Sequence, residues 1–363
     1  MKKFITSVTF IMILGLAVGF IFLPKSSFSY NENRYLKKMP EFSMNALFNG
    51  KYFEDLSSYV TDNFPFRLNF INLKTQVLKL MGTDKIEDVY YGKNGELYQE
   101  YSKDDSSDTI IKRINNFITN NEGINVDVII SPTAISIEKD NISKYNTNYD
   151  ENITLDYYKD NLKGNFIDIR DILEEHKDEY LFYKTDHHWT TMGAYYAYLE
   201  YVSYKGFEER ELQFEKVNDK FYGTLYSKVL DNSLSYDEIY RIKDESNVLV
   251  SYLDTESESN SLYNSKWLEK KDKYSYFLDG NHSLIKIDNL DNSNGRRLLI
   301  VKDSYANSFV PFIVSDYDEI VIVDPRYYKK SISDLVSLYE INDVLFLYNI
   351  LTIDDDLGIK SIK

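Results

Sequence analysis

The sequence predicts an α/β protein, a mainly parallel sheet flanked by helices, carried behind an N-terminal membrane anchor helix. Two observations predict the sheet. From about residue 105 onward, helical and strand-like segments alternate, as they do where crossover helices join parallel strands. The strand-like segments are short, nearly continuous apolar runs, the signature of strands buried on both faces. The anchor follows from residues 4–23, twenty uncharged and mostly apolar residues behind Lys2 and Lys3. Twenty such residues suffice to span a bilayer as a helix.

A cleaved signal has a shorter apolar core and a small-residue cleavage site, and Ser27-Phe28-Ser29 matches such a site weakly. An uncleaved signal anchor is therefore the expectation for residues 1–29, with secretion after cleavage as the alternative. Either way, the chain from about residue 30 lies on the extracytoplasmic side. Residues 30–104 read as a tether of helices and a hairpin. Residues 51–62 are helical, and Pro65 suits the first position of a second helix that ends before Gly82. Asn94-Gly95 between two apolar runs marks the hairpin.

Residues 105–363 form the main domain. A helix is expected over 106–121, a buried strand over 126–130 and a second short strand over 166–169. A helix over 191–204 has Thr190 or Thr191 as its cap and Gly206 as its stop. Residues 207–295 read as an irregular, charged insertion. Strands at 297–301, 320–323 and 344–348 then alternate with helices at 306–314 and 332–340.

Composition excludes several functions. With 42 basic against 58 acidic residues the net charge is −16, so nothing attracts a phosphate backbone and nucleic-acid binding is not expected. Cysteine is absent, which removes disulfides, thiolate-held metals and thiol nucleophiles together. Imidazole chemistry has only four candidates, His176, His187, His188 and His282. The 33 tyrosines suit a sugar-lined cleft but are equally a matter of composition.

Chemistry concentrates in two places. In Lys184-Thr185-Asp186-His187-His188-Trp189-Thr190, residues i and i+2 of an extended segment point the same way. Asp186 then lies beside His188, accepts its Nδ1–H and leaves Nε2 as a base. His187 points the other way, toward a structural or substrate contact. The alternatives are a capping Asp with surface histidines, or a metal held by Asp186 and His187 or His188. The second place is Asp303-Ser304-Tyr305, on a turn between an apolar strand and a helix. A serine there is exposed beside helix N–H groups that would hold an oxyanion; otherwise it is a helix cap. Together the two segments supply nucleophile, base and orienting acid. Arg326 and Tyr327 follow the next strand and would reach the same crevice, unless Arg326 is simply salt-bridged.

The Asp186-His187-His188-Trp189-Thr190 string resembles the eponymous motif of bacterial DHHW proteins, which are similar to the alginate O-acetylation proteins AlgX and AlgJ with their SGNH-hydrolase-like (flavodoxin-like) domain. Further matches are Asp62-Asn63-Phe64-Pro65-Phe66-Arg67, Phe221-Tyr222-Gly223-Thr224-Leu225, Val301-Lys302-Asp303-Ser304-Tyr305-Ala306 and Asp324-Pro325-Arg326-Tyr327-Tyr328. The Asp/His block precedes the serine block, so the resemblance implies a circularly permuted motif order. It implies a Ser–His–Asp triad of Ser304, His188 and Asp186, with Tyr305, Arg326, Tyr327 and His187 as oxyanion or substrate contacts. It further implies O-acetyl transfer to, or acetylester hydrolysis on, a cell-surface or exported polysaccharide. No cofactor and no metal are expected. The expected partners are the polysaccharide acceptor, a membrane-bound O-acyltransferase as acetyl source, and the membrane itself. The competing expectation is a non-catalytic, membrane-anchored glycan-binding or scaffold protein on the same fold.

Overall fold

The structure is a computed structural model that describes residues 1–103, 106–243, 246–356, 358, 359 and 362. The expected boundary between residues 104 and 105 falls outside the described residues. The chain forms two compact units, residues 1–87 with 226–234, and residues 88–225 with 235–363.

The first unit contains the apolar helix α1 (Lys2–Phe22), on which no residue is buried, followed by α2 (Lys51–Asp62) and α3 (Arg67–Leu80). Pro65 does not open α3 as expected. The helix starts two residues later, after Phe66 in the left-handed region (φ 58), and Pro65 packs instead 3.4 Å from the position a Gly19 Cβ would take. This helix presents no core face: Thr75 is its one buried residue, while Leu73, Val77 and Leu80 are exposed.

The second unit is built on an eight-stranded sheet. In chain order its strands are β1 (Asn125–Ser131), β2 (Asn165–Phe166), β3 (Val248–Tyr252), β4 (Ser257–Ser259), β5 (Leu284–Asn289), β6 (Arg297–Lys302), β7 (Glu319–Val323) and β8 (Asp343–Asn349). Their spatial order is β4-β3-β5-β7-β6-β8-β1-β2. The stretch β7-β6-β8-β1-β2 is parallel. Counted from β6, and with β8 followed by β1, this is the 2-1-3-4-5 order of flavodoxin-like folds in circularly permuted form. The segment expected as an irregular insertion supplies the three antiparallel strands β3, β4 and β5 that extend the sheet past β7. Burial alternates along β3 and β5, the period of a strand with one covered face.

Alternation along β6 divides the core. Leu298 and Ile300 join one hydrophobic layer, with α5 (Thr191–Lys205) and α6 (Ala306–Ile313). Leu299 and Val301 join the other, with α4 (Ser107–Asn120) and α7 (Ile332–Leu338). Thr190 caps α5, its Oγ1 accepting from the Met192 and Gly193 N–H groups, and Gly206 ends it at φ 65. The expected hairpin pairs Val89–Tyr91 with Leu97–Gln99 around Gly95 at φ 90. Its Leu97 N–H donates to the Lys184 carbonyl at 2.7 Å, which braces the chain just before Asp186.

Candidate active site

Parallel strands of an open sheet leave a crevice at their carboxyl ends where the strand order reverses. Here that point lies between β6 and β8, and Ser304 sits on the turn that leaves β6. Asp303 shapes the turn. Its Oδ1 accepts the Tyr305 N–H at 2.8 Å and its Oδ2 the Asn349 N–H at 2.9 Å, tying the serine turn to the end of β8. The Asp303 carboxyl is fully buried, and burial raises its pKa above the ordinary carboxylate value.

The structure brings Asp186, His188 and Ser304 into one line. His188 Nε2 lies 2.7 Å from Ser304 Oγ, and His188 Nδ1 lies 2.5 Å from Asp186 Oδ1. The second Asp186 oxygen accepts from Thr224 N–H at 2.7 Å and Thr224 Oγ1 at 3.0 Å. Asp186 Oδ1 also accepts the His188 N–H at 3.1 Å, so the carboxylate takes part in four hydrogen bonds. Burial opposes its ionisation, but the neighbouring imidazoles and the Thr224 N–H outweigh burial and hold the carboxyl well below its ordinary range. Gly223 is required for this approach, because a Cβ there would stand 2.2 Å from the Asp186 Cβ.

The segment carrying the histidines is a bend, not an extended strand. Asp237 makes it bend by accepting the Lys184 N–H, the Thr185 N–H (both 2.8 Å) and the Thr185 hydroxyl. The bend corrects the expectation for His187. Instead of pointing away, its ring lies 3.9 Å from that of His188, and its Nδ1 is 2.7 Å from Thr224 Oγ1. Trp189 is fully buried and donates from Nε1 to the Tyr305 carbonyl (3.0 Å) and to Ser308 Oγ (2.9 Å). That pair of bonds pins the histidine segment to the serine turn.

One other expected contact is also corrected. The Tyr305 N–H is committed to Asp303, its ring is buried and its hydroxyl donates to the His187 carbonyl, so Tyr305 braces the site and offers nothing to an oxyanion. Arg326 is salt-bridged: it grips Asp324 with Nε at 2.9 Å and Nη2 at 2.6 Å. Tyr327 is 54% exposed beside that guanidinium. Among the described residues neither carries a hydrogen bond to Asp186, His188 or Ser304. The Ser304 N–H, by contrast, has no partner within the described protein and is available to a bound group.

Two supporting residues, Tyr274 and Lys271, carry no signal in the sequence, and Lys302 lies in the matched serine segment. Tyr274 stacks on His188, with ring centroids 3.7 Å apart, and its hydroxyl lies 3.0 Å from the Ser304 carbonyl. Lys271, three residues earlier, donates to the Tyr222 carbonyl at 2.8 Å, on the loop that covers Asp186; burial lowers its pKa to about 8. Lys302 is fully buried below the serine turn, donating to Asn307 Oδ1 at 2.7 Å and Asn281 Oδ1 at 3.1 Å. Burial lowers its pKa to about 8 as well.

Asp186, His187 and His188 present donor atoms within 4.8 Å of one another. Those atoms are spent on other bonds: His188 Nδ1 on Asp186, His188 Nε2 on Ser304 and His187 Nδ1 on Thr224. Asp186, His188 and Ser304 together have the hydrogen-bond geometry of a proton relay.

Residues 86–323 match the DHHW protein family. The chain belongs to that family. Among solved structures, this DHHW protein is similar to a DHHW family protein from Eubacterium siraeum DSM 15702, with a TM-score of 0.66 and 24% identity, covering 76% of this chain and 99% of that one. It is also similar to Bacillus cereus PatB1 with a sulfonyl adduct, with a TM-score of 0.65 and 18% identity, covering 76% and 98%. Both likenesses are likenesses of fold. No curated protein matches the sequence.

Proposed function

We propose that this DHHW protein is an O-acetyltransferase or acetylesterase that acts on a cell-surface or exported polysaccharide through an acetyl–Ser304 intermediate. The observation that carries the reading is the unbroken Asp186–His188–Ser304 line, 2.5 Å and 2.7 Å per step, at the crevice where the parallel strand order reverses. In this reading, Ser304 Oγ attacks the acetyl carbonyl carbon while His188 Nε2 takes its proton. Asp186 steadies the imidazolium that results. The Ser304 N–H meets the oxyanion of the tetrahedral intermediate. Collapse expels the donor alcohol, which receives the proton from His188. A sugar hydroxyl or water, deprotonated by His188, then attacks the acetyl ester and frees Ser304. A positioned base of this kind contributes about 10²–10⁴-fold in rate.

The catalytic unit in this proposal is residues 88–225 with 235–363, and α1 is an uncleaved anchor that places it outside the membrane. The polysaccharide is the acceptor, and a membrane-bound O-acyltransferase supplies the acetyl group.

The test uses the full chain in detergent with a chromogenic acetyl ester. Activity lost in both Ser304→Ala and His188→Ala supports the proposal, and equal activity in all three proteins overturns it. A sulfonyl fluoride should add one sulfonyl group at Ser304 in the wild type and none in Ser304→Ala, read by mass spectrometry. Adding an oligosaccharide and weighing the products separates transfer from hydrolysis.

A further inference from the structure

We infer that the aromatic turn Phe64-Pro65-Phe66, with Phe70, dips into the outer lipid interface and holds the first unit on the bilayer as a second contact beside α1. The inference rests on reading α1 as an uncleaved membrane span. A helix of 21 residues is about 31 Å long at 1.5 Å per residue, which matches a hydrocarbon core of about 30 Å. Gly19 and Phe20 are then about 3–5 Å below the outer end of the span.

Other parts of the first unit touch that same turn of α1. Buried Pro65 packs on Gly19, its Cγ 3.4 Å from where a Cβ would be. The Tyr59 ring meets the Phe20 ring edge-on at 6.0 Å. Lys25 Nζ bridges the Phe20 carbonyl (2.6 Å) and the Asn63 carbonyl (3.3 Å). A turn packed against residues inside the hydrocarbon edge must itself lie at that edge. The side chains it leaves uncovered suit that depth. Phe64 is 38% exposed, Phe66 66% and Phe70 46%, and the Phe64 and Phe70 rings lie 5.9 Å apart. Aromatic rings concentrate at membrane–water interfaces.

The two arginines beside the turn are paired with acids. Arg34 bonds Asp62 at 2.6 Å, and Arg67 bonds Glu32 at 2.8 Å. Pairing lowers the cost of holding these ions close to lipid. The chemistry that the exposed rings recognise is an acyl-chain surface.

The experiment reconstitutes full-length Phe66→Trp and Phe64→Trp proteins into phosphatidylcholine vesicles with and without brominated acyl chains. The wild type, with Trp189 and Trp267, gives the background. The added indole should emit to the blue of a water-exposed one and lose intensity with bromine beyond the wild-type loss in at least one variant. Variants that float with the vesicles but show no added quenching at either position overturn the inference and leave the anchor reading standing. Protein that fails to float, with an intact mass lacking residues 1–29, overturns the anchor reading and the inference together.

Discussion

The ring of Tyr274 lies flat on the His188 imidazole, 3.7 Å between centroids and 10° from parallel, and its hydroxyl bonds the Ser304 carbonyl at 3.0 Å. One buried side chain thereby orients both the base and the nucleophile of the proposed reaction. An aromatic face also favours the imidazolium that forms when Ser304 gives up its proton.

Removing the ring and removing the hydroxyl should therefore differ. Tyr274→Leu loses the hydroxyl and, beyond it, a desolvated cation–π contact worth about 2 kcal/mol, so its kcat/KM should fall roughly 30-fold further than that of Tyr274→Phe. Tyr274→Phe keeps the ring and loses the hydroxyl's contacts to the Ser304 carbonyl and Ser308 Oγ, both at 3.0 Å; the bond to the Ser304 carbonyl is worth about 1 kcal/mol, or roughly fivefold in rate. Steady-state kinetics on an acetyl ester decide it: equal rates for the two variants would show that the stacked ring does not act on His188.

Gly223→Ala should disable the site without unfolding the chain. The added methyl meets Asp186 Cβ at 2.2 Å and Oδ2 at 2.3 Å, so the carboxylate or the loop must move. A misplacement of about 1 Å in a positioned group costs about 10²-fold. Circular dichroism should stay native while kcat falls by about that factor. A variant with wild-type kcat would mean that the loop yields freely.

The buried Lys302 ammonium makes stability depend on alkaline pH. Burial lowers its folded pKa to about 8, against about 10.4 in an unfolded chain. Between those values the unfolded state binds more protons, so raising the pH stabilises the folded state. Relative to Lys302→Met, the wild-type unfolding midpoint should climb from pH 8 to pH 10.5. A pH-independent difference between the two proteins would refute this.

The apolar runs 126–130, 297–301, 320–323 and 344–348 all became parallel strands, because a strand covered on both faces needs no alternation and shows itself as a plain apolar run. The antiparallel edge was harder to read. Leu284–Asn289 and Val248–Tyr252 do alternate, but each is only a few residues long within a charged stretch. The pairing of Asp186 with His188 was legible because it spans two residues. The direction of His187 was not, because the bend at 184–188 is imposed by Asp237, some fifty residues away.

By itself the sequence determined the apolar N-terminal helix, the alternation of helices and strands, a threonine cap at 190 or 191 and the local Asp186–His188 bond. These depend on periodicity or on bonds between near neighbours, which a linear chain already contains. The tertiary structure alone decided that His188 meets Ser304 across 116 residues and that Tyr274 out of 33 tyrosines stacks on the imidazole. Those contacts depend on which strand ends the permuted sheet brings to one crevice, and burial there is set by packing between segments that have no relation along the chain.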